Sequence, residues 1–399
     1  MVIREMYLKR IRPFYESELI KVISGVRRCG KSTLLQQIFF EIKKYVSESQ
    51  LIYINFEDYH FKELYNPDHL FAYIEKKIVK DCKYYLFFDE IQNVDNFELV
   101  INSFRATHNV SIFLTGSNSK LLSGELASHL GGRTISFIIM PFTFKEFCTL
   151  KTPDTNYQKL FQEYIKYGGF PIVCKEEDYE NKDLIISSLY DSIVLKDIIM
   201  RNKITSPVLL DKILEYLIGN SSITFSGKKV TNVLNENGIK ASSPTVYDYV
   251  KYIEETSIIK KAERYDIRGK KVLAFEEKVY VCDFGFFELK KNRVKDEFNL
   301  IVETAVFNEL IARGYQVYVG KTLKGEVDFI VQKNKKKFYI QAAYLLEKQE
   351  TIEREFGAYD VITDNYPKYV ISLDPITSDR EGIKHLNLID FLLDETLIE

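Results

Sequence analysis

The chain has 399 residues, 46% hydrophobic and 28% charged, with a formal net charge of −2. That length accommodates roughly two to four domains, and the near-neutral balance excludes a globally basic protein, so any contact with a polyanion must be local. No apolar run approaches the roughly 18 residues of a membrane span, Met1 to Arg12 carries Arg4, Glu5, Lys9, Arg10 and Arg12 where a signal peptide has its apolar core, and five scattered cysteines without a Cys-x-x-Cys pair predict reduced thiols and a cytoplasmic setting.

In chain order, the apolar run Leu19 to Ile23 predicts a buried strand. It is followed by Gly25-Val26-Arg27-Arg28-Cys29-Gly30-Lys31-Ser32 and by a helical pattern opening at Thr33. Every position of G-x-x-x-x-G-K-[ST] is met in the strand–loop–helix context that the motif requires. The glycines let backbone N–H groups turn inward around a β-phosphate, Lys31 reaches the β and γ oxygens, and the Ser32 hydroxyl ligates Mg²⁺. The helix that follows aims its positive end at the same group. The predicted ligand is a nucleoside triphosphate, ATP or GTP, cradled by Gly25 to Thr33; Arg27 and Arg28 read as loop-face charges or partner contacts.

Leu51 to Phe56 predicts a second strand and Asp68 to Lys80 an amphipathic helix. Tyr84-Tyr85-Leu86-Phe87-Phe88-Asp89-Glu90 then reads as a buried parallel strand ending in two carboxylates, a Walker B pattern. Asp89 is placed to hold Mg²⁺ and Glu90 to orient and polarise the attacking water, which argues for hydrolysis and against a small-molecule kinase. Phe97 to Thr107 predicts a helix and Val110 to Thr115 another strand, giving a doubly wound parallel sheet with its ligand at the carboxyl edge. At that edge Thr115 and Asn118 are candidates to sense the γ-phosphate or fix the water, although Gly-Ser-Asn-Ser is also good turn chemistry.

From Thr143 the pattern is helical, with a turn at Tyr167-Gly168-Gly169-Phe170-Pro171 and an amphipathic helix around Ile185 to Met200, together a helical lid on which Lys196 or Arg201 can face a nucleotide. Val208 to Leu217, Lys228 to Asn235 and a helix opened by Ser243-Pro244-Thr245, with Val246, Val250 and Ile253 on its buried stripe, precede strands over Ile258 to Ala262, Lys271 to Phe275 and Val279 to Cys282. That order predicts a winged helix-turn-helix. Ser221 to Phe275 holds ten Lys or Arg against six Asp or Glu. The third helix turns Asp248, Glu254 and Glu255 outward, so DNA, if bound, is held by the wing cations Lys260, Lys261, Arg264, Arg268, Lys270 and Lys271, without base readout.

Gly-Val-Arg-Arg-Cys-Gly-Lys-Ser, Phe-Phe-Asp-Glu-Ile-Gln, Leu-Thr-Gly-Ser-Asn-Ser, Leu-Gly-Gly-Arg-Thr and Met-Pro-Phe-Thr-Phe-Lys-Glu-Phe together resemble a large bacterial and archaeal family of AAA-superfamily ATPases. There the ATPase is followed by a winged-helix region and a C-terminal domain of the restriction-endonuclease-like, PD-(D/E)XK type. The resemblance implies an α/β fold with a P-loop ATPase domain at 1–142, a helical lid at 143–206, a winged helix at 207–295 and an endonuclease-like α/β domain at 296–399. It further implies that Arg133 is an arginine finger completing the site of a neighbouring copy, hence a homo-oligomer. In the last domain Glu303, on a helix over Leu300 to Arg313, and Asp328, on a strand over Val327 to Val331, remain. Gln341-Ala342-Ala343 stands where a nuclease of this type has Glu-x-Lys, so neither metal-binding charge nor catalytic ammonium is present there. A docking role is expected; a residual nuclease would need a migrated lysine such as Lys337 or Lys348. The resulting expectation is a Mg²⁺-dependent ATPase whose product is conformational, acting on an unidentified protein or nucleic-acid partner. The rivals are an ATP-gated nuclease and a binding module with vestigial hydrolysis.

Overall fold

Strands β1 (Ile20–Ser24), β2 (Leu51–Asn55), β3 (Tyr84–Asp89), β4 (Val110–Gly116) and β5 (Thr134–Ile138) form one parallel sheet in the order β2-β3-β4-β1-β5. The computed structural model describes residues 2–79, 81–117, 130, 132–151, 156–290, 297–322 and 325–398. β1, β3 and β4 are buried along their whole length, as their unbroken apolar runs require. Phe87 and Phe88 are fully buried, and Phe87 stacks on Phe113 with ring centroids 4.9 Å apart. Each such side chain contributes about 1.5–3 kcal/mol of transfer free energy. Helices Lys31–Ile42, Pro67–Glu75 and Phe97–Thr107 connect these strands; the second stops five residues before the predicted Lys80. Because every pairing in this sheet is parallel, the loops that leave the strand C-termini gather along one edge.

Internal packing divides the chain into two units, Met1–Ile139 with Glu255–Ser257, and Met140–Glu254 with Ile258–Glu399. The second opens with helices Phe144–Leu150, capped by a Thr143–Glu146 capping box, Tyr157–Tyr167, Pro171–Lys175 and Tyr179–Ser192, the last continuing into a π-helical stretch, Ile193–Met200. The Gly168-Gly169 segment, which reads as a plain turn, is a packing site instead. Asp283, fully buried, accepts the Gly169 N–H at 2.7 Å and the Gly285 N–H at 2.9 Å, and a Cβ on Gly168 would lie 1.8 Å from its carboxylate. Burial pushes this carboxyl up to about 7.

Helices Pro207–Gly219, Gly227–Glu236 and Ser243–Glu255 follow, the third burying Val246, Val250 and Ile253. Strands β6 (Ile223–Thr224), β7 (Ile259–Asp266), β8 (Lys271–Val281), β9 (Gln316–Lys321), β10 (Glu326–Lys333), β11 (Lys336–Ala342), β12 (Lys368–Ser372) and β13 (Lys384–Asn387) then make a single mixed sheet, ordered β13-β12-β11-β10-β9-β7-β8-β6. The predicted strands at Lys271 to Phe275 and Val279 to Cys282 are one strand. It passes a bulge where its register with β7 shifts between Ala262 and Arg264 and where Glu276 takes φ 62°. The hairpin β7–β8 is joined to the C-terminal strands by a parallel pairing of β7 with β9, Arg264 opposite Val319. Among the described residues no helix is long and apolar enough to cross a membrane.

Candidate nucleotide site

The phosphate-binding sequence leaves β1 at Ser24 and enters helix Lys31–Ile42 through Gly30, at φ 103°. Glycine is required there by the left-handed backbone. At Gly25 it is required by a close approach, since a Cβ would lie 2.1 Å from the Ile139 carbonyl. Two further contacts brace the loop. The Cys29 thiol donates to Ile139 O at 3.3 Å, and the buried Arg4 guanidinium donates to Cys29 O at 3.0 Å. Burial pushes the Cys29 thiol up, which makes it a packing group and not a reactive one. Lys31 Nζ donates to the carbonyls of Gly25 and Val26, both at 3.2 Å, and lies 3.9 Å from Glu90 Oε1. Arg27 pairs with Glu57 at 3.2 Å and Arg28 is exposed, so both cations lie on the outer side of the loop. Ser32 and Thr33, in the helix's first turn, are half-buried.

Asp89, at the end of β3, is 1% exposed and accepts hydrogen bonds from Ser32 Oγ at 3.0 Å, Tyr53 OH at 3.3 Å and Thr115 Oγ1. Burial, reinforced by the neighbouring Glu90 charge, raises its carboxyl above the usual range against the pull of these hydroxyls. No Lys or Arg pairs with it among the described residues. A buried carboxylate facing a helix N-terminal serine hydroxyl, with no cation of its own, is a hard-oxygen donor set suited to Mg²⁺. Glu90 follows with φ 54°, a left-handed backbone that costs a non-glycine residue about 1 kcal/mol or more. Its N–H donates to Thr115 Oγ1 at 3.0 Å, and its carboxylate accepts from the Gln92 amide.

Thr115 thus donates to Asp89 and accepts from the Glu90 N–H, which makes it a support for both acids. Asn118 lies outside the described residues. Tyr53, which holds Asp89, carries no motif that sequence reading could find, whereas Gln92, which holds Glu90, ends the Phe-Phe-Asp-Glu-Ile-Gln run without its role being legible there. Ser24 and Ser117, at the end of β1 and just beyond β4, have buried hydroxyls with no hydrogen-bond partner among the described residues. Arg133 is exposed and immediately precedes β5, whose first residue Thr134 pairs with Ile20 at the start of β1. The phosphate loop leaves the other end of β1, about 13 Å along the strand. Arg133 is therefore not brought to the site of its own chain.

In the second unit, Glu303, Glu326 and Asp328 converge on Lys278 of β8. The ammonium lies 2.8 Å from Glu303 Oε1, 2.5 Å from Glu326 Oε1 and 3.9 Å from Asp328 Oδ1. These carboxylates, with Gln341, line a cavity of about 610 Å³. Gln341 accepts the Asp328 N–H and donates to Glu355, so it serves as a structural clamp. Neither lysine considered from sequence is there: Lys337 lines a different cavity and Lys348 is exposed at a helix start. Of the cations expected on a wing, Arg264 is buried and bonded to Glu326 at 2.8 Å, and Lys261 pairs with Glu254 and Glu277. Those two are structural charges, neutralised by Glu254 within the counted segment and by Glu277 and Glu326 from outside it. Arg201 pairs with Asp197 on its own helix, and Lys196 is exposed.

A family profile described as "AAA domain" matches residues 17–148, and one described as a domain of unknown function matches residues 158–295. An uncharacterized protein of Haemophilus influenzae is 34% identical over 399 residues, covering 98% of this chain and 99% of the relative. An uncharacterized protein of Methanocaldococcus jannaschii is 32% identical over 388 residues, covering 93% and 85%. Among solved structures, the Walker-type ATPase of Pyrococcus abyssi aligns with a TM-score of 0.50 at 15% identity, over 72% of this chain and 95% of that one, a likeness of fold.

Proposed function

The chain belongs to the family of those Haemophilus and Methanocaldococcus proteins, built on an AAA domain, and on that premise we propose that it is a Mg²⁺-dependent ATPase whose nucleotide state drives a conformational switch. The observation that carries this reading is the buried Asp89 carboxylate, set against Ser32 and supported by Thr115 and Tyr53, with no paired cation among the described residues. Ser32 and Asp89 would hold the metal, which when bound offsets charge on the β- and γ-phosphate oxygens. Lys31 binds the same oxygens by exchanging its two carbonyl acceptors for them. Glu90, anchored through its own N–H and through Gln92, orients a water and takes its proton. Ser117, buried and without a hydrogen-bond partner among the described residues, is a sensor candidate beside Asn118.

Arg133, placed at the opposite sheet edge, would complete the site of a second copy, which makes the active form a homo-oligomer. Residues 143–206 would serve as the lid, 207–295 as a winged helix and 296–399 as an endonuclease-like scaffold, with a protein or nucleic-acid partner as the recipient of the switch. Lys278 supports a degenerate scaffold over a working nuclease, because its ammonium already neutralises the carboxylates a metal would need. Hydrolysis and nucleotide affinity of Lys31→Ala and Glu90→Gln test the proposal. Lys31→Ala is expected to lose triphosphate binding, and Glu90→Gln to bind normally while losing most turnover. Undiminished hydrolysis in Glu90→Gln would remove Glu90 from the mechanism.

A further inference from the structure

The turn between β10 and β11 is a two-residue hairpin loop, Lys333 opposite Lys336, with Asn334 at φ 49° and Lys335 at φ 68°. Both positive angles define a type I′ turn, whose second central position favours glycine. The wing turn likewise holds Lys270 at φ 51°, beside a Gly269 whose N–H, with that of Arg268, donates to Asp266. Two hairpins from distant parts of the sequence thus each place a lysine in a backbone region that lysine disfavours, and both lysines line the same cavity of about 720 Å³. Such strain persists where a side chain is wanted at that point.

The cavity's charged lining is Lys270, Lys333, Lys335, Lys336 and Lys337 against a single carboxylate, Asp364. Asp364 is already engaged, accepting the Tyr339 hydroxyl at 2.6 Å and lying 3.8 Å from Lys337. Lys337 sits among the rings of Tyr265, Tyr339 and Tyr366, 4.8–5.3 Å from their centroids. Elsewhere on this sheet Lys261, Arg264 and Lys278 are bound to carboxylates; Lys270, Lys335 and Lys336 are exposed and form no ion pair among the described residues. Tyr366, 43% exposed, stands at the wall.

Unpaired lysines gathered around a concavity, with an aromatic face beside them, match a chain of phosphates spaced by flat rings. The concavity has the size of a ligand pocket, too small for a duplex but wide enough for a few nucleotides. We propose that this cavity binds single-stranded nucleic acid, phosphates on Lys270, Lys335 and Lys336 and a base on Tyr366. This deepens the reading of a macromolecular partner and does not depend on hydrolysis.

The test is fluorescence anisotropy with labelled (dT)15 at 50 and 200 mM KCl, without nucleotide, on the full chain. Three phosphate contacts predict a log–log salt slope of about −2, a loss of about 16-fold between those salts. Lys335→Glu/Lys336→Glu should weaken binding at least about tenfold and bring the slope to about −0.7. Lys335→Gly, which suits the turn better than lysine, should raise Tm while weakening binding, so misfolding cannot account for the loss. Tyr366→Ala should weaken (dT)15 about tenfold and leave inorganic polyphosphate unaffected. ATP hydrolysis should be unchanged in these variants, and Lys31→Ala should bind (dT)15 normally, which separates this site from the nucleotide site. Wild-type affinity in the double lysine variant would overturn the proposal. Equal loss of polyphosphate and (dT)15 in Tyr366→Ala, or no loss of either, would replace nucleic acid by polyanions in general.

Discussion

Replacing Lys278 by methionine keeps the aliphatic stem and deletes the ammonium on which Glu303, Glu326 and Asp328 converge. The acidic side chains are 12%, 29% and 15% exposed, so water offsets the loss only in part. Removing one partner of a buried ion pair costs about 3–5 kcal/mol, and the partial exposure of Glu326 puts this case toward the lower end. The cost depends on pH with a definite sign. Asp328 is already held well above the ordinary carboxylate range, by burial first and then by Glu303's charge. Without the ammonium the cluster binds protons more tightly in the folded state than in the unfolded one, so the variant loses stability as pH rises. Urea unfolding of wild type and Lys278→Met at pH 5 and pH 8 should give a deficit of about 3 kcal/mol at pH 8 and a smaller one at pH 5. Adding Glu303→Gln should recover about 1 kcal/mol or more through coupling. A deficit below about 1 kcal/mol at pH 8, or the same deficit at both pH values, would refute the view that Lys278 is the cluster's resident cation.

If Arg133 acts across a subunit boundary, mixing Arg133→Ala with Lys31→Ala should restore part of the ATPase activity, and specific activity should rise with protein concentration; no complementation and a flat concentration dependence would leave Arg133 as a surface group. Asp283, pushed up to about 7 in the fold from 3.8, holds its proton longer there than in the unfolded chain, so its contribution to stability falls as pH rises from about 4 to about 7, by up to about 4 kcal/mol. Asp283→Asn should flatten that decline while giving up one of the two N–H bonds, and parallel pH profiles for the two proteins would rule the assignment out. No cleavage of DNA or RNA is expected with Mg²⁺ or Mn²⁺, with or without ATP; reproducible nicking that disappears in Asp328→Ala would restore the nuclease reading.

The parts of the site that were legible in sequence are those set by contiguous residues: the eight-residue loop, and the apolar run of β3 ending at Asp89. β5 was not, because it is short, has only Phe137 buried and follows a glycine pair, so neither an apolar run nor a turn-bounded alternation marks it. Tyr53 and Arg4 escaped for a different reason. Each reaches the site by hydrogen bonding to a residue 25 or more positions away, and such a bond has no period. Counting charge over Ser221 to Phe275 failed at Arg264 because its partner Glu326 lies outside that window, and at Lys261 because a count does not show that Glu254, with Glu277 beyond the window, pairs with it. Lys278 carried one faint signal, a lysine set directly before the buried Val279, Tyr280 and Val281.

The parallel pairing of β7 with β9 bears on how this chain can be taken apart. A protein cut at 295/296 would leave β7 with a free row of backbone donors and acceptors beside Tyr265, an invitation to edge-to-edge aggregation. It would also strand Lys278 on one fragment and its three acidic partners on the other. The hairpin and the C-terminal strands therefore share one folding fate. Because β7 must wait for a strand made about 50 residues later, the growing chain passes through a period on the ribosome when that edge has no neighbour.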